Sequence, residues 1–148
     1  MALILRMCIL ISMISCAGCL PKSTLMLKVH SDPIINPTSV GDPLPVIVKI
    51  YQLSEDNAFL QAQFQELWKQ DQQVLSSSLV AKKEVQIHPN DNTSITFKQV
   101  ENARYLAVVA TFLDTQGKFR DITPLHQGVL GLNHTLFIDV SGNRITFL

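Results

Sequence analysis

Residues 34–53 of the chain read IINPTSVGDPLPVIVKIYQL, and the composition changes half way along this stretch. The first half holds three prolines and a glycine, which excludes a helix or an interior strand and predicts a stiff, turned loop. From Val46 onward the residues are mostly β-branched or aromatic and alternate, which predicts a strand with an apolar face. The sequence therefore predicts a rigid loop that leads directly into a core strand. This loop is either a binding surface or a simple connection between two strands.

Length and charge limit the class of protein. With 148 residues the chain has room for one domain. Such a domain can bury roughly two-thirds of its unfolded surface, which is enough for a core of its own. The 12 basic and 12 acidic side chains balance, so no basic field would attract phosphate backbones. Nucleic acid is therefore not an expected partner.

The N-terminal residues have the features of a secretion signal. Arg6 precedes a short apolar run over residues 7–15, and small residues follow that run. The run is too short to span a bilayer but matches the hydrophobic region of a signal peptide. We therefore expect residues 1–18 to be a lipoprotein signal peptide, residues 19–23 a lipidated tether, and residues 24–148 the folded domain.

All three cysteines, Cys8, Cys16 and Cys19, lie in this leader or at its end. The domain must therefore be held together by hydrophobic packing and not by disulfides. Ala17-Gly18-Cys19 resembles the lipobox of bacterial lipoproteins, whose cysteine is acylated, although Cys16 stands where a leucine is usual. We expect lipidation of Cys19, with cleavage before Cys16 or an ordinary signal peptide as the alternatives. The residue after either cysteine is not acidic. In this respect the chain resembles bacterial lipoproteins that are sorted to the outer membrane.

Downstream of the leader, the hydrophobic pattern predicts short strands and one helix. A first strand is expected over residues 24–30, ended by Ser31-Asp32-Pro33, and a second over residues 45–53. Apolar residues at helical spacing predict one amphipathic helix over residues 58–75. Further strands are expected over residues 80–88, 94–100, 104–113, 119–125, 136–140 and 145–147. Seven or eight strands without βαβ alternation predict an all-β fold with one inserted helix, a two-sheet β-sandwich.

The residues that carry chemistry form no catalytic pattern. His30, His88, His126 and His134 are widely spaced, and no cysteine or acidic cluster accompanies them at the spacing of metal ligands. No nucleophile or phosphate-binding motif occurs either. The chain is therefore predicted not to be an enzyme and to need no cofactor, metal or small-molecule substrate.

Four segments together resemble the TssJ (SciN) family of type VI secretion lipoproteins. They are the Cys19 lipobox, Asn36-Pro37 to Pro45 running into VIVKIYQL, the segment FQELWKQDQQVLSSSL, and Tyr105-Leu106 with VVATF before Phe119-Arg120 and Pro124-Leu125. The resemblance implies a transthyretin-like β-sandwich, anchored by palmitate to the outer membrane and facing the periplasm. It further implies binding to the periplasmic C-terminal region of the inner-membrane protein TssM (IcmF-like).

In that family the loop between the first two strands contacts the partner, and here this loop would span residues 31–44. Its expected contact residues are Ile34, Ile35, Asn36, Pro37 and Val40. We expect Ile34 and Ile35 to be exposed beside the prolines and to form a small apolar patch on a stiff support. Such patches are typical of interfaces. Two alternatives stay open: a carrier whose strand over residues 104–113 lines a ligand cavity, and a pilotin-like lipoprotein.

Overall fold

The computed structural model describes residues 23–114, 116–125 and 134–148. The predicted signal peptide, Cys16, Cys19 and His126 lie outside the described residues. The eight described strands are β1 Thr24–Ile35, β2 Val46–Leu53, β3 Leu79–Ile87, β4 Asn92–Lys98, β5 Tyr105–Ala110, β6 Arg120–Pro124, β7 His134–Gly142 and β8 Arg144–Phe147. Within the described part of the chain, no helix is long and apolar enough to cross a membrane.

The strands form two four-stranded sheets, with the orders β4-β1-β7-β8 and β3-β2-β5-β6. All paired neighbours are antiparallel except β1 and β7, which run parallel. The predicted two-sheet β-sandwich is confirmed, with eight strands.

A core fills the space between the two sheets. Alternate residues of each strand point inward, as Leu25 and Leu27 of β1 and Val48 of β2 do. Leu106, Val108 and Ala110 of β5 are buried in the same core. Since these side chains are packed, the inner face of β5 does not line an open cavity, and the carrier hypothesis loses the feature on which it depended.

A second core lies on the outer face of the β3-β2-β5-β6 sheet, under three short helices. These helices are α1 Asn57–Gln61, α2 Phe64–Lys69 and α3 Asp71–Leu75, followed by a 3-10 turn, Ser76–Ser78. Phe59, Leu67 and Leu75 contribute one buried face of this core, and Tyr51 and Val109 contribute the other.

The prediction of one continuous helix over residues 58–75 is wrong, because the backbone is extended at Ala62 and Gln63. The Arg120 guanidinium donates hydrogen bonds to the carbonyls of Phe59 (2.8 Å), Leu60 (2.9 Å) and Ala62. These carbonyls sit at the end of α1, where a helix otherwise leaves acceptors unpaired. A capping box between Gln63 and Glu66 then starts α2.

A buried carboxylate fastens α3 to the sheet. Asp71 accepts hydrogen bonds from Lys82 Nζ (3.0 Å), Tyr51 OH (3.1 Å) and Lys49 Nζ (3.3 Å). Lys49 Nζ also donates to the carbonyl of Trp68 (2.6 Å) and lies 4.4 Å from the centroid of its ring. Burial raises the pKa of Asp71, but the hydrogen bonds from Lys82, Lys49 and Tyr51 outweigh it and hold the pKa below its usual value. Asp71 is therefore ionised at neutral pH.

Candidate protein-binding surface

Four connections meet at one end of the sandwich, which we call the loop end. They are the β1–β2 loop (residues 36–45), the β3–β4 turn (88–91), the described part of the β5–β6 loop (111–114 and 116–119) and the β7–β8 turn at Asn143. Backbone hydrogen bonds tie these connections to the neighbouring strands: Asn36 N–H donates to Gly142 O of β7 (2.7 Å), Asn90 N–H to Asp32 O of β1 (3.0 Å), and Ile145 N–H of β8 to Lys118 O (2.9 Å). Thr24, at the start of β1, lies at the opposite end, which we call the tether end.

Strand β1 runs further into the loop end than predicted. Ser31-Asp32-Pro33 does not end it, because Ser31 N–H continues the pairing by donating to Asp91 O (2.9 Å). The Ser31 hydroxyl also donates to the carbonyl of His88 (2.6 Å). Pro33 falls within the register shift between Ser31 and Ile35, where its missing N–H interrupts no regular ladder. The predicted loop over residues 31–44 is therefore shorter and occupies residues 36–45.

Asn36 holds the base of this loop. Its φ of 47° lies in the left-handed region, which asparagine tolerates better than most residues. Its side-chain oxygen accepts from Leu113 N–H (2.7 Å), and its side-chain nitrogen donates to Pro45 O (3.2 Å). With only 5% of its surface exposed, Asn36 positions the loop and offers almost no area for contact.

The body of the loop is closed by its own hydrogen bonds. Thr38 N–H donates to Asp42 O (2.9 Å), Gly41 N–H donates to Thr38 O (2.9 Å), and Leu44 N–H donates to Ile35 O (3.1 Å). Gly41 has a φ of 93°, which a residue with a side chain rarely adopts. The prediction of a stiff, turned loop is confirmed, and such a loop has little conformational entropy to lose on binding.

The structure divides the predicted contact residues into two groups. Ile34 is 57% exposed, Val40 is 80% exposed and Pro37 is half-buried. Ile35 is completely buried in the core between the sheets, so the prediction that it is exposed is wrong. The reason is the two-residue period of a strand, which turns Ile35 inward when Ile34 faces outward.

Sequence reasoning missed two further apolar residues at the loop end. Leu113, in the β5–β6 loop, is 64% exposed, and Ile47, the second residue of β2, is also exposed. Of the seven large hydrophobic side chains that are exposed among the described residues, four therefore lie at this end: Ile34, Val40, Ile47 and Leu113. A leucine that closes an apolar run resembles a core residue, so the sequence held no signal for Leu113.

Within residues 23–114, 116–125 and 134–148, no group of three or more His, Cys, Asp or Glu could hold a metal ion. His30 instead hydrogen-bonds Asn92 (2.8 Å) and lies 3.7 Å from the Asp32 carboxylate.

The fold and the site together define a two-sheet β-sandwich with three short helices packed on one sheet and exposed apolar side chains at its loop end. A family model described as "Type VI secretion lipoprotein, VasD, EvfM, TssJ" matches residues 23–140. The chain belongs to this family, T6SS-SciN, of type VI secretion lipoproteins. The family is a structural lipoprotein component of the type VI secretion system and is not known as an enzyme.

Comparison with solved structures supports the same fold. The lipoprotein TssJ1 from Pseudomonas aeruginosa is 24% identical with a TM-score of 0.78, over 86% of this chain and 96% of that one. A chain of the structure described as the TssM C-terminal domain from EAEC is 28% identical with a TM-score of 0.72, over 84% and 97%. A chain of a structure described as a type VI membrane complex is 29% identical with a TM-score of 0.76, over 86% and 98%. No curated protein matches the chain.

Proposed function

We propose that this lipoprotein is anchored in the outer membrane, faces the periplasm, and holds the periplasmic C-terminal region of a TssM-like inner-membrane protein at its loop end. The observation that carries the proposal is that β1 runs from one end of the sandwich to the other. This strand starts at the tether end, next to the residues expected to carry lipid, and ends at the loop end. Its 12 residues span about 36 Å at a rise of about 3.3 Å per residue. Lipid and partner would therefore be bound at opposite ends of one strand.

The proposed anchor is lipid on Cys19, with Cys16 as the alternative. One acyl chain holds a protein only marginally in a bilayer, so several chains are needed for a lasting anchor. Labelled palmitate should enter the wild-type chain and the Cys16→Ser variant but not the Cys19→Ser variant. Label that persists in Cys19→Ser and disappears in Cys16→Ser would assign the lipid to Cys16, and no label in the wild type would refute the anchor.

The proposed partner surface comprises Ile34, Pro37 and Val40 by direct contact. Ile35 and Asn36 would act indirectly, Ile35 by filling the core beneath the loop and Asn36 by holding its base. The rigid loop and the concentration of exposed apolar side chains around it favour a protein partner. The family and the likeness to chains of the TssM and membrane-complex structures support the choice of this partner.

A direct test uses the soluble form that begins after Cys19, which contains all the described strands and both cores. Immobilised on beads, it should retain the purified periplasmic C-terminal region of the TssM protein from the same organism. Failure to retain that region, with the circular dichroism of a folded β protein, would refute the proposal.

A further inference from the structure

The two sheets have four edge strands, β4 and β8 in one sheet and β3 and β6 in the other. An edge strand presents unpaired backbone groups to which another chain can add. Proteins usually protect such edges with charges, proline, short length or side-chain cover.

Three of the edges carry such protection. The edge β3 has Lys82-Lys83-Glu84 at its centre, and alternation along the strand turns Lys83 toward the space between the sheets. The edge β6 has only 5 residues and ends in Pro124. The edge β8 has only 4 residues, and the N–H of Phe147 already donates to the Asp121 carboxylate (2.8 Å).

The edge β4 carries little of this protection. It pairs with β1 in an unbroken register from Thr24↔Lys98 to His30↔Asn92, and it contains neither proline nor glycine. Its single charge, Lys98, stands at its last position. At 7 residues, β4 is the longest edge after β3.

The backbone groups that β4 leaves free can be assigned. Gln99 N–H donates to Ser23 O (3.0 Å) and Ser31 N–H donates to Asp91 O (2.9 Å), so the odd-numbered residues of this segment bond to β1. The N–H and C=O groups of Asn92, Ser94 and Thr96 therefore point away from β1. At the tether end the outward backbone groups are already paired with the Gln52 side chain. Its Nε2 donates to Lys98 O (2.9 Å), and its Oε1 accepts from Val100 N–H (2.9 Å).

A cleft runs beside this edge, in the gap between β4 and β3. Ile50, Ala81 and Phe97 supply its apolar lining, and its volume is about 210 Å³. Small-molecule sites usually have about 300 Å³ or more, so this cleft suits individual side chains of a peptide better than a free ligand.

The charge beside the cleft is positive. Lys82, Lys83 and Lys98 all line it. Lys82 is paired with Asp71, but Lys83 and Lys98 are exposed and make no ion pair within the described part of the chain. An incoming segment with carboxylates would therefore find two unpaired cations.

We propose that β4 accepts an extended segment of a protein partner as an additional strand, one in which apolar and acidic residues alternate. The backbone of Asn92, Ser94 and Thr96 would supply the hydrogen bonds, the cleft would take apolar side chains, and Lys98, which points to the outward face of β4, would select carboxylates. Because β4 begins at the loop end, a partner held there has β4 within reach, an argument that rests on the proposed function.

A second copy of the chain fits this edge less well. Symmetric antiparallel pairing of two β4 strands would point the two β1 strands, and with them the two N-termini, in opposite directions. Two chains anchored by lipid in one membrane need their N-termini on the same side. This argument also rests on the proposed anchor, whereas the charge of the cleft does not depend on it.

The test uses the soluble form and two capped seven-residue peptides, one alternating valine with glutamate and the other alternating valine with lysine. Saturating valine–glutamate peptide should slow amide hydrogen exchange about tenfold at Ser94 and Thr96. Exchange at Ile95 and Phe97, whose amides already bond to β1, should not change. The valine–lysine peptide should have no effect.

Two variants complete the test. Ser94→Pro removes an outward N–H at a position where an edge strand tolerates proline, and it should abolish the protection while leaving the β1–β4 ladder intact. Lys98→Glu, which changes the charge on the outward face of β4 and no N–H that faces the peptide, should reduce affinity for the valine–glutamate peptide at least about tenfold. Unchanged exchange at Ser94 and Thr96, equal binding of both peptides, or protection that appears without peptide in a dimer would each overturn the proposal. None of these outcomes affects retention of the partner through the loop end, so failure of this proposal and of the proposed function can be told apart.

Discussion

The side-chain oxygen of Asn36 accepts a 2.7 Å hydrogen bond from the backbone N–H of Leu113. This bond joins the β1–β2 loop to the β5–β6 loop, 77 residues later in the chain. The exposed side chains of Val40 and Leu113 thus belong to two loops that a single buried amide holds in a fixed relation. The loop end is therefore one preorganised surface.

Replacement of Asn36 should weaken both the fold and the binding surface. Asn36→Ala loses the hydrogen bonds to Leu113 and Pro45. It also places alanine at a left-handed φ, which alanine tolerates less well than asparagine does. The free energy of unfolding should fall by about 1–3 kcal/mol, measured by urea denaturation. Asn36→Gly separates the two causes, since glycine keeps the φ but not the bonds. A glycine variant as stable as the wild type would show that the side-chain bonds do not hold the loop.

The buried carboxylate of Asp71 should make the stability depend on pH in acid. Because its pKa in the folded state lies below its usual 3.8, ionised Asp71 stabilises the fold at neutral pH. That contribution is lost as the pH falls below the usual value and through the folded one. Urea denaturation between about pH 5 and about pH 2 should follow this loss in the wild type.

The Asp71→Asn variant supplies the comparison. It should be about 3–5 kcal/mol less stable at pH 7, because Lys49 and Lys82 lose their shared counter-ion. It should also lack the part of the acid dependence that comes from Asp71. Parallel stability curves for the two proteins over the acid range would contradict the assignment.

Close approach at Gly117 should make even a methyl group costly. A Cβ there would overlap the backbone carbonyl of Asn143, so the β5–β6 loop and the β7–β8 turn could not keep their present distance. Gly117→Ala should lower the free energy of unfolding by about 1–3 kcal/mol. Ser39→Ala, in the exposed part of the β1–β2 loop, is the control and should be neutral. Equal stability of both variants would mean that the two connections are not in contact.

Much of the sandwich follows from local patterns in the sequence. Leu25, Leu27 and Val29 alternate with half-buried or exposed residues, and this alternation alone identifies a strand with one core face. The break between α1 and α2 could not be predicted in this way. It depends on Arg120, which bonds the carbonyl of Ala62 from 58 residues further along the chain.

The binding surface was predictable only in part. Prolines and Gly41 indicate a stiff loop, and the structure confirms both the loop and the exposure of Ile34. The burial of Ile35 depends on how far β1 continues, which is set by pairing of Ser31 with Asp91. The place of Leu113 beside this loop depends on a tertiary hydrogen bond to Asn36. Contacts of this kind carry no short-range signal in the sequence.

The affinity of the soluble form for the periplasmic C-terminal region of TssM tests the central claim most directly. The matched comparison is between the Ile34→Asp, Val40→Asp double variant at the loop end and Leu60→Asp, which places the same charge on an exposed apolar residue of α1. We predict at least about a 30-fold loss of affinity for the loop variant, with an unchanged melting temperature, and affinity within about twofold of the wild type for Leu60→Asp. Wild-type affinity in the folded loop variant, or an equal loss in Leu60→Asp, would contradict the account.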